Sequence, residues 1–362
     1  MNDSVWLLVV AGVENFILIS GVLSLLTFTA AATVRFVARG RGWHPHSLTR
    51  IYAALLVLPV MVSAWLVTAS LLPAIWLGLD RWAQEHQALH TLHLLNAWTV
   101  SVDPALGYAA LAFAVLAAVF AAYAALSAYF RIGRVIRRLE VEADPAPPER
   151  VRQVEDACRQ NGIDVGLVVS RYPLSFVWGY LRSKLVVSTG LLNALSAEEL
   201  SALLEHEAAH HARRDNLSKW ILTVCRYASP VFPLMNQLYR WWNEQVELVC
   251  DEIAAKRTNS PVEVAGALLR IKRLTLAARL RRLQIAESGF FGDDGDRFEY
   301  RVMRLLSLEG LPEETMKAAA LSRSWARSAT FIGSAFVLTL VALFLVSPLA
   351  VHRLVEILLH PF

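Results

Sequence analysis

Four long apolar runs, at about 5–34, 51–77, 105–130 and 329–351, decide what this chain can fold into. Each meets the ~20 residues a helix needs to cross ~30 Å of hydrocarbon. Backbone groups cannot stay unpaired in lipid, so each run is expected as a transmembrane helix. Composition agrees: 56% of the 362 residues are hydrophobic, 18% are charged and the mean hydropathy is +0.42, too apolar for a soluble domain of this length. The first run follows acidic Asp3, lacks a basic leader and is too long for a cleavable signal, so it is expected to be retained.

Arginines near the ends of the spans set the expected orientation. Arg35, Arg39, Arg41 and Arg50 lie between the first two runs, and Arg131, Arg134, Arg137 and Arg138 follow the third. Both places read as cytoplasmic, which puts the two termini outside and residues 131–328 in the cytosol. The expected organisation is therefore a membrane domain over 1–130, a cytosolic domain over 131–328, and a fourth span with a short outer tail over 329–362. Cys158, Cys225 and Cys250 all fall in the cytosolic stretch without CxxC spacing, and read as reduced, buried thiols. The net charge of +4 belongs largely to topology-setting arginines, and direct nucleic-acid binding is not expected.

Within the cytosolic stretch, Asp144-Pro145-Ala146-Pro147-Pro148 breaks the helix continuing from the third span. Helical periodicity follows over Glu149–Asn161, then a short strand over Val165–Ser170. Phe176–Gly179 and Lys184–Ser188 read as a paired strand and turn, giving a small sheet. Ser196-Ala197-Glu198-Glu199 has the form of a capping box that opens the next helix. Val262–Ala286 reads as a long basic helix, and Gly289–Asp296 as a polar loop.

The capped helix carries His206-Glu207-Ala208-Ala209-His210. Residues four apart share a helix face, so both imidazoles can reach one ion while Glu207 projects toward its open position. This chemistry suits Zn2+, which lowers the pKa of a bound water, with Glu207 as general base for attack on a peptide carbonyl. The plainer alternative is a polar, solvated helix face, against which Leu200, Leu203 and Leu204 show that one side of the helix is packed. A third protein ligand must be a carboxylate or thiolate, because the only other histidine nearby is the adjacent His211. Glu247 is the leading candidate, with Glu244 and Cys250 as alternatives. The apolar segment between His210 and Glu247 cannot cross the bilayer if both bind one ion, so it is expected to return as a hairpin near Ser229-Pro230 to Pro233. Its apolar surface, with Trp241 and Trp242, is available to transmembrane helices or the lipid interface.

Taken together these residues resemble the BlaR/MecR type of integral-membrane zinc peptidase, the signal transducers of beta-lactam resistance and their relatives. The likeness rests on Ser175–Gly179, Leu185–Leu192, Leu203–His210 with Arg213-Arg214-Asp215-Asn216, and Glu247–Asp251. It implies a mainly α membrane protein with four transmembrane helices and a cytosolic α+β, gluzincin-like zinc peptidase domain containing a small sheet. It further implies that His206, His210 and Glu247 bind zinc, that Glu207 is the base, and that Asp251 is an acid orienting a ligand histidine. Asp215 competes for that last role, its alternative being a salt bridge to Arg213 or Arg214. The resemblance also implies substrate binding by strand addition along Lys184, Leu185, Val186, Val187 and Ser188.

The implied partners are a cytosolic repressor of the BlaI type, the chain itself through self-cleavage, and the bilayer of the bacterial inner membrane; a homo-oligomer is an open option. Only about 351–362 follow the fourth run, so no penicillin-binding sensor domain is expected. Alternatives to a regulatory endopeptidase are a quality-control peptidase resembling the HtpX type, and a non-proteolytic zinc-containing receptor or scaffold. Weaker signals are His86, His90 and His93 on one helical face of the outer loop, Glu14 inside the first span, and Arg301. The last is a candidate oxyanion stabiliser whose plainer reading is a solvated helix face.

Overall fold

The computed structural model describes residues 3–41, 43–77, 145–171, 173–179, 184–282 and 295–308, together with the isolated positions 112, 115, 119 and 123. The expected third and fourth spans and the histidines of the outer loop lie outside the described residues, as does the side chain of Glu14. The chain divides into two units, one holding the first two helices and residues 222–241, the other holding 145–221 and 242–308.

In the first unit, α1 (Asp3–Arg41) and α2 (Pro45–Leu77) are joined by three residues and pack on each other. Each contains a stretch long and apolar enough to cross a membrane, Ile19–Ala38 and Pro45–Thr68. The buried side of α1 carries Ser20, Ser24, Thr27 and Ala31, small residues that let helices approach closely. Hydroxyls need partners in an apolar setting, and most find them locally: Ser20 donates to Ile17 O and Thr27 to Ser24 O, as Thr49 and Ser63 do to Pro45 O and Pro59 O on α2.

The first helix described in the second unit is α3 (Pro148–Gln160), whose first position is a proline, as the rigid φ of that residue favours. Three strands follow: β1 (Asp164–Val168), β2 (Ser175–Trp178) and β3 (Lys184–Ser188). Their spatial order is β1-β3-β2, with β3 parallel to β1 and antiparallel to β2. The expectation that Lys184–Ser188 forms a substrate-binding edge is therefore corrected. Both ladders of β3 are already used, and strand addition needs a free one. The sequence shows three strands but not which one lies between the others.

Ser188 ends β3 and caps α4 (Thr189–Ala194), its Oγ accepting from Leu191 N. Gly190 follows in a tight place: its N–H donates to Ser170 O at 2.8 Å, and a Cβ there would fall 2.5 Å from Arg171 O. The capping box forms as expected. Ser196 Oγ accepts from Glu199 N and Ser196 N donates to Glu199 Oε2, opening α5 (Ala197–Ala212). Such a cap is worth about 1 kcal/mol. Leu185 and Val187, two apart on β3, join Val154 and Cys158 of α3 and Leu200, Leu203, Leu204 and Ala208 of α5 in one core. That core fixes the helix bearing both histidines against the sheet.

Beyond α5 come α6 (Asp215–Ala228), α7 (Phe232–Thr258), α8 (Pro261–Arg282) and α9 (Gly295–Leu308). The expected hairpin turns at Ser229-Pro230-Val231, between α6 and α7. Of the polar loop expected over Gly289–Asp296, the last two residues open α9 and the rest lie outside the described residues.

Candidate metal centre

His206 and His210 lie one turn apart on α5, with ring centroids 4.8 Å apart and edge to face. Their Nε2 atoms are 3.2 Å apart. Glu247, from the middle of α7, brings Oε2 to 3.6 Å from His206 Nε2 and Oε1 to 3.7 Å from His210 Nε2. Three donors at a tetrahedral ion with bonds of ~2.0–2.1 Å stand about 3.3 Å from one another. The observed triangle fits that size, and all three groups are mostly buried.

The opposite ring nitrogens are each met by an acid. Asp215 Oδ2 lies 2.8 Å from His210 Nδ1, and Asp251 Oδ1 lies 3.0 Å from His206 Nδ1, the latter off the line of the ring N–H. An acid at Nδ1 holds the tautomer that presents Nε2 to a metal. Local backbone explains how Asp215 gets there. Arg214 takes a left-handed φ of 54°, reversing the chain just after α5 so that Asp215 returns beneath His210. Such a conformation is costly for any residue with a Cβ. Asp215 also accepts from Arg213 Nε at 3.2 Å, so the two roles considered for it hold together.

Arg301, on α9, is not on a solvated face. It donates from Nε and Nη2 to the two oxygens of Asp251 at 2.8 and 2.9 Å, and its Nη1 lies 3.4 Å from Glu247 Oε2. A two-pronged guanidinium fixes a carboxylate in plane as well as in charge. Arg297 and Arg304 flank it, pairing with Glu244 and Glu252 of α7 at 2.8 and 2.9 Å. Glu244 is thus turned to α9 rather than to the histidines. Cys250, fully buried, sits 3.4 Å from His210 Nδ1 and donates to Asp215 Oδ2 at 3.6 Å. Burial, then the charges of Asp215 and Glu247, push its thiol well above the usual range. A protonated thiol is a poor metal ligand, which favours the carboxylate.

Glu207 is buried beside the triangle, and its Oε1 accepts from Ser175 Oγ of β2 at 3.1 Å. Asn216 ties the same region to α6, donating to Val177 O and Gly179 O. The serine contact and the arginine ladder of α9 are what sequence reasoning missed. A readable signal for the ladder existed: Arg297, Arg301 and Arg304 recur at helical spacing, as do Glu244, Glu247 and Asp251 on α7, with Glu252 next to the last.

Burial opposes charge on His206, but the neighbouring carboxylates of Asp251 and Glu247 outweigh it and lift the ring to about 10. His210 is raised in the same way, against its burial, by Glu247 and Asp215. Glu247, Asp215 and Asp251 are all held low in spite of burial, Glu247 chiefly by His210, Asp215 by its hydrogen bond with His210 and Asp251 by Arg301. Coordination requires neutral imidazoles, so these protons must leave when a metal binds. Chelator-stripped protein titrated with Zn2+ near pH 7 is expected to release about one to two protons per ion, with affinity rising as pH rises. Calorimetry in buffers of different ionisation enthalpy measures this; zero proton release contradicts it. The stability of stripped protein follows the same signs. The His206 contribution is complete below 6.5 and is lost as pH climbs through about 10, while that of the carboxylates is lost as pH falls through their lowered values.

Two helix-borne imidazoles, a downstream carboxylate and a buried glutamate beside them define the site of a metallopeptidase. Residues 83–275 match the family model described as BlaR1 peptidase M56, and the chain belongs to that peptidase family. The match ends within α8, so Arg301 lies beyond it.

Proposed function

We propose that this chain is a zinc-dependent, membrane-embedded endopeptidase that cleaves cytosolic or membrane-proximal proteins in regulatory signalling. The convergence of His206 Nε2, His210 Nε2 and Glu247 next to Glu207 carries this reading. His206, His210 and Glu247 would hold the ion, which when bound would acidify a water and polarise the scissile carbonyl. Glu207 would accept the water's proton at a carboxylate oxygen and pass it to the departing amine. Ser175 holds Glu207 in place, Asp215 and Asp251 orient the imidazoles, and Arg301 keeps Glu247 and Asp251 in register. The domain boundaries and the cytosolic placement of the site rest on the apolar runs and on the arginines flanking them. Substrates would be a repressor of the BlaI type or the chain itself.

Arg301 acts through the two carboxylates, so Arg301→Ala is expected to weaken zinc affinity by about 10–100-fold, the range carried by outer-shell partners. Arg301→Lys, which keeps the charge but not the fork, should recover only part. Competition with a zinc-binding dye reads affinity apart from turnover; unchanged affinity in Arg301→Ala would remove the positioning role.

The test of function is zinc content and cleavage by the purified full chain, offered a labelled unfolded protein and co-expressed candidate repressors. About one zinc per chain with selective repressor cleavage supports the proposal. Indiscriminate cleavage assigns it to quality control, and a metal-free protein without cleavage refutes it.

A further inference from the structure

The membrane-facing unit contains more than α1 and α2. Residues 222–241, the end of α6, the turn and the start of α7, belong to it. Their contacts fall along one side of α1. Pro230 approaches Gly21 at 3.4 Å from where its Cβ would be, and Ser229 Oγ lies 2.8 Å from Ser24 Oγ in a buried pair. Trp241 stacks on Phe28 at 5.4 Å, has Arg35 at 4.8 Å above its ring and touches Tyr52 of α2. The positions Gly21, Ser24, Phe28 and Arg35 step along the helix at three, four and seven residues, so the hairpin runs lengthwise beside α1.

That placement carries a depth. Ser24 stands eleven residues from Arg35, about 16 Å of helix at 1.5 Å per residue, and both lie within the apolar stretch Ile19–Ala38. With Arg35 at the cytosolic boundary, the turn at Ser229-Pro230 reaches roughly half of a ~30 Å hydrocarbon layer. The hairpin is built for such a place. Ser229 Oγ, besides meeting Ser24, accepts from Val231 N at the turn. Only two charged residues occur in 222–241. Arg240 is near the boundary end, and Arg226 is caged, donating to Asn236 Oδ1 at 2.9 Å with its guanidinium 4.8 and 4.2 Å from the rings of Tyr227 and Tyr239. Val224 and Pro233 are left exposed.

Resting on the membrane reading above, we infer that residues 222–241 form a re-entrant hairpin, inserted beside α1 with its exposed side against the acyl chains of the cytosolic leaflet. Backbone polar groups stay paired in its two helices, which is what permits entry into lipid.

The test uses spin labels on the full chain in vesicles of phosphatidylethanolamine and phosphatidylglycerol. The three native cysteines are buried, so an introduced one dominates labelling. Labels go on Pro233→Cys in the first turn of α7, Leu26→Cys on the exposed face of α1 and Asp156→Cys on the surface of α3. Collision rates with oxygen and with a water-soluble nickel chelate report depth. The expected result is Pro233 as open to oxygen and as shielded from nickel as Leu26, with Asp156 open to nickel. Nickel access at Pro233 with Leu26 shielded overturns the inference while leaving the membrane reading intact. Nickel access at Leu26 as well sinks both. Phe232→Cys serves as a second position there if Pro233→Cys misfolds, and retained zinc content marks a folded variant.

Discussion

Glu207→Gln is expected to keep its full complement of zinc and to lose about 10²–10⁴-fold in turnover, the share a positioned acid-base group contributes. The amide preserves the shape of the side chain and can still accept from Ser175 Oγ, so the packing of α5 against the sheet is undisturbed. What disappears is the ability to take a proton. Steady-state cleavage beside elemental analysis separates the two quantities. Normal cleavage by Glu207→Gln would remove the base assignment, and normal signalling without any cleavage in wild type would make the chain a zinc-containing receptor.

Glu247→Ala should lose metal and activity together. It deletes one of three donors, and its effect on affinity is expected to exceed the ~10–100-fold that an outer-shell partner carries. The control is Glu244→Ala. Glu244 stands one turn earlier on α7 but faces Arg297, so its removal should leave zinc bound and cleavage close to wild type. Metal retention by Glu247→Ala, or metal loss by Glu244→Ala, would exchange the two assignments. Equilibrium dialysis against a zinc buffer distinguishes these outcomes without any substrate.

The local parts of the site were legible before the fold was known. Helical period alone puts His206 and His210 on one face, and the capping box marks where that helix starts, because both depend on residues within one or two turns. The return of the chain near Ser229-Pro230 also followed from sequence, through a physical requirement: two ligands of one ion cannot lie on opposite sides of a bilayer. The choice among Glu244, Glu247 and Cys250 was narrowed but not closed. All three lie within two turns of α7, and which of them faces α5 depends on how the two helices are rotated against each other.

The sheet shows the opposite case. Lys184–Ser188 is plainly a strand by its residues, yet its neighbours are set by a parallel crossover to Asp164–Val168 and an antiparallel return from Ser175–Trp178. Pairing is a long-range choice, and it removed the expected substrate edge. Arg301 is similar. Its sequence surroundings suit an exposed amphipathic helix, and only the packing of α9 on α7 turns the guanidinium onto Asp251 and Glu247.

The apolar helices of the first unit and the shared face of His206 and His210 on α5 follow from length, period and local hydrogen bonding, and the return of the chain near Ser229-Pro230 follows from the requirement that His210 and Glu247 can reach one ion. Tertiary structure decided which carboxylate completes the triangle, which acid backs each imidazole and which strand lies at the edge. Those outcomes depend on how whole elements pack and pair with one another, and no local pattern specifies the rotation of one element on another.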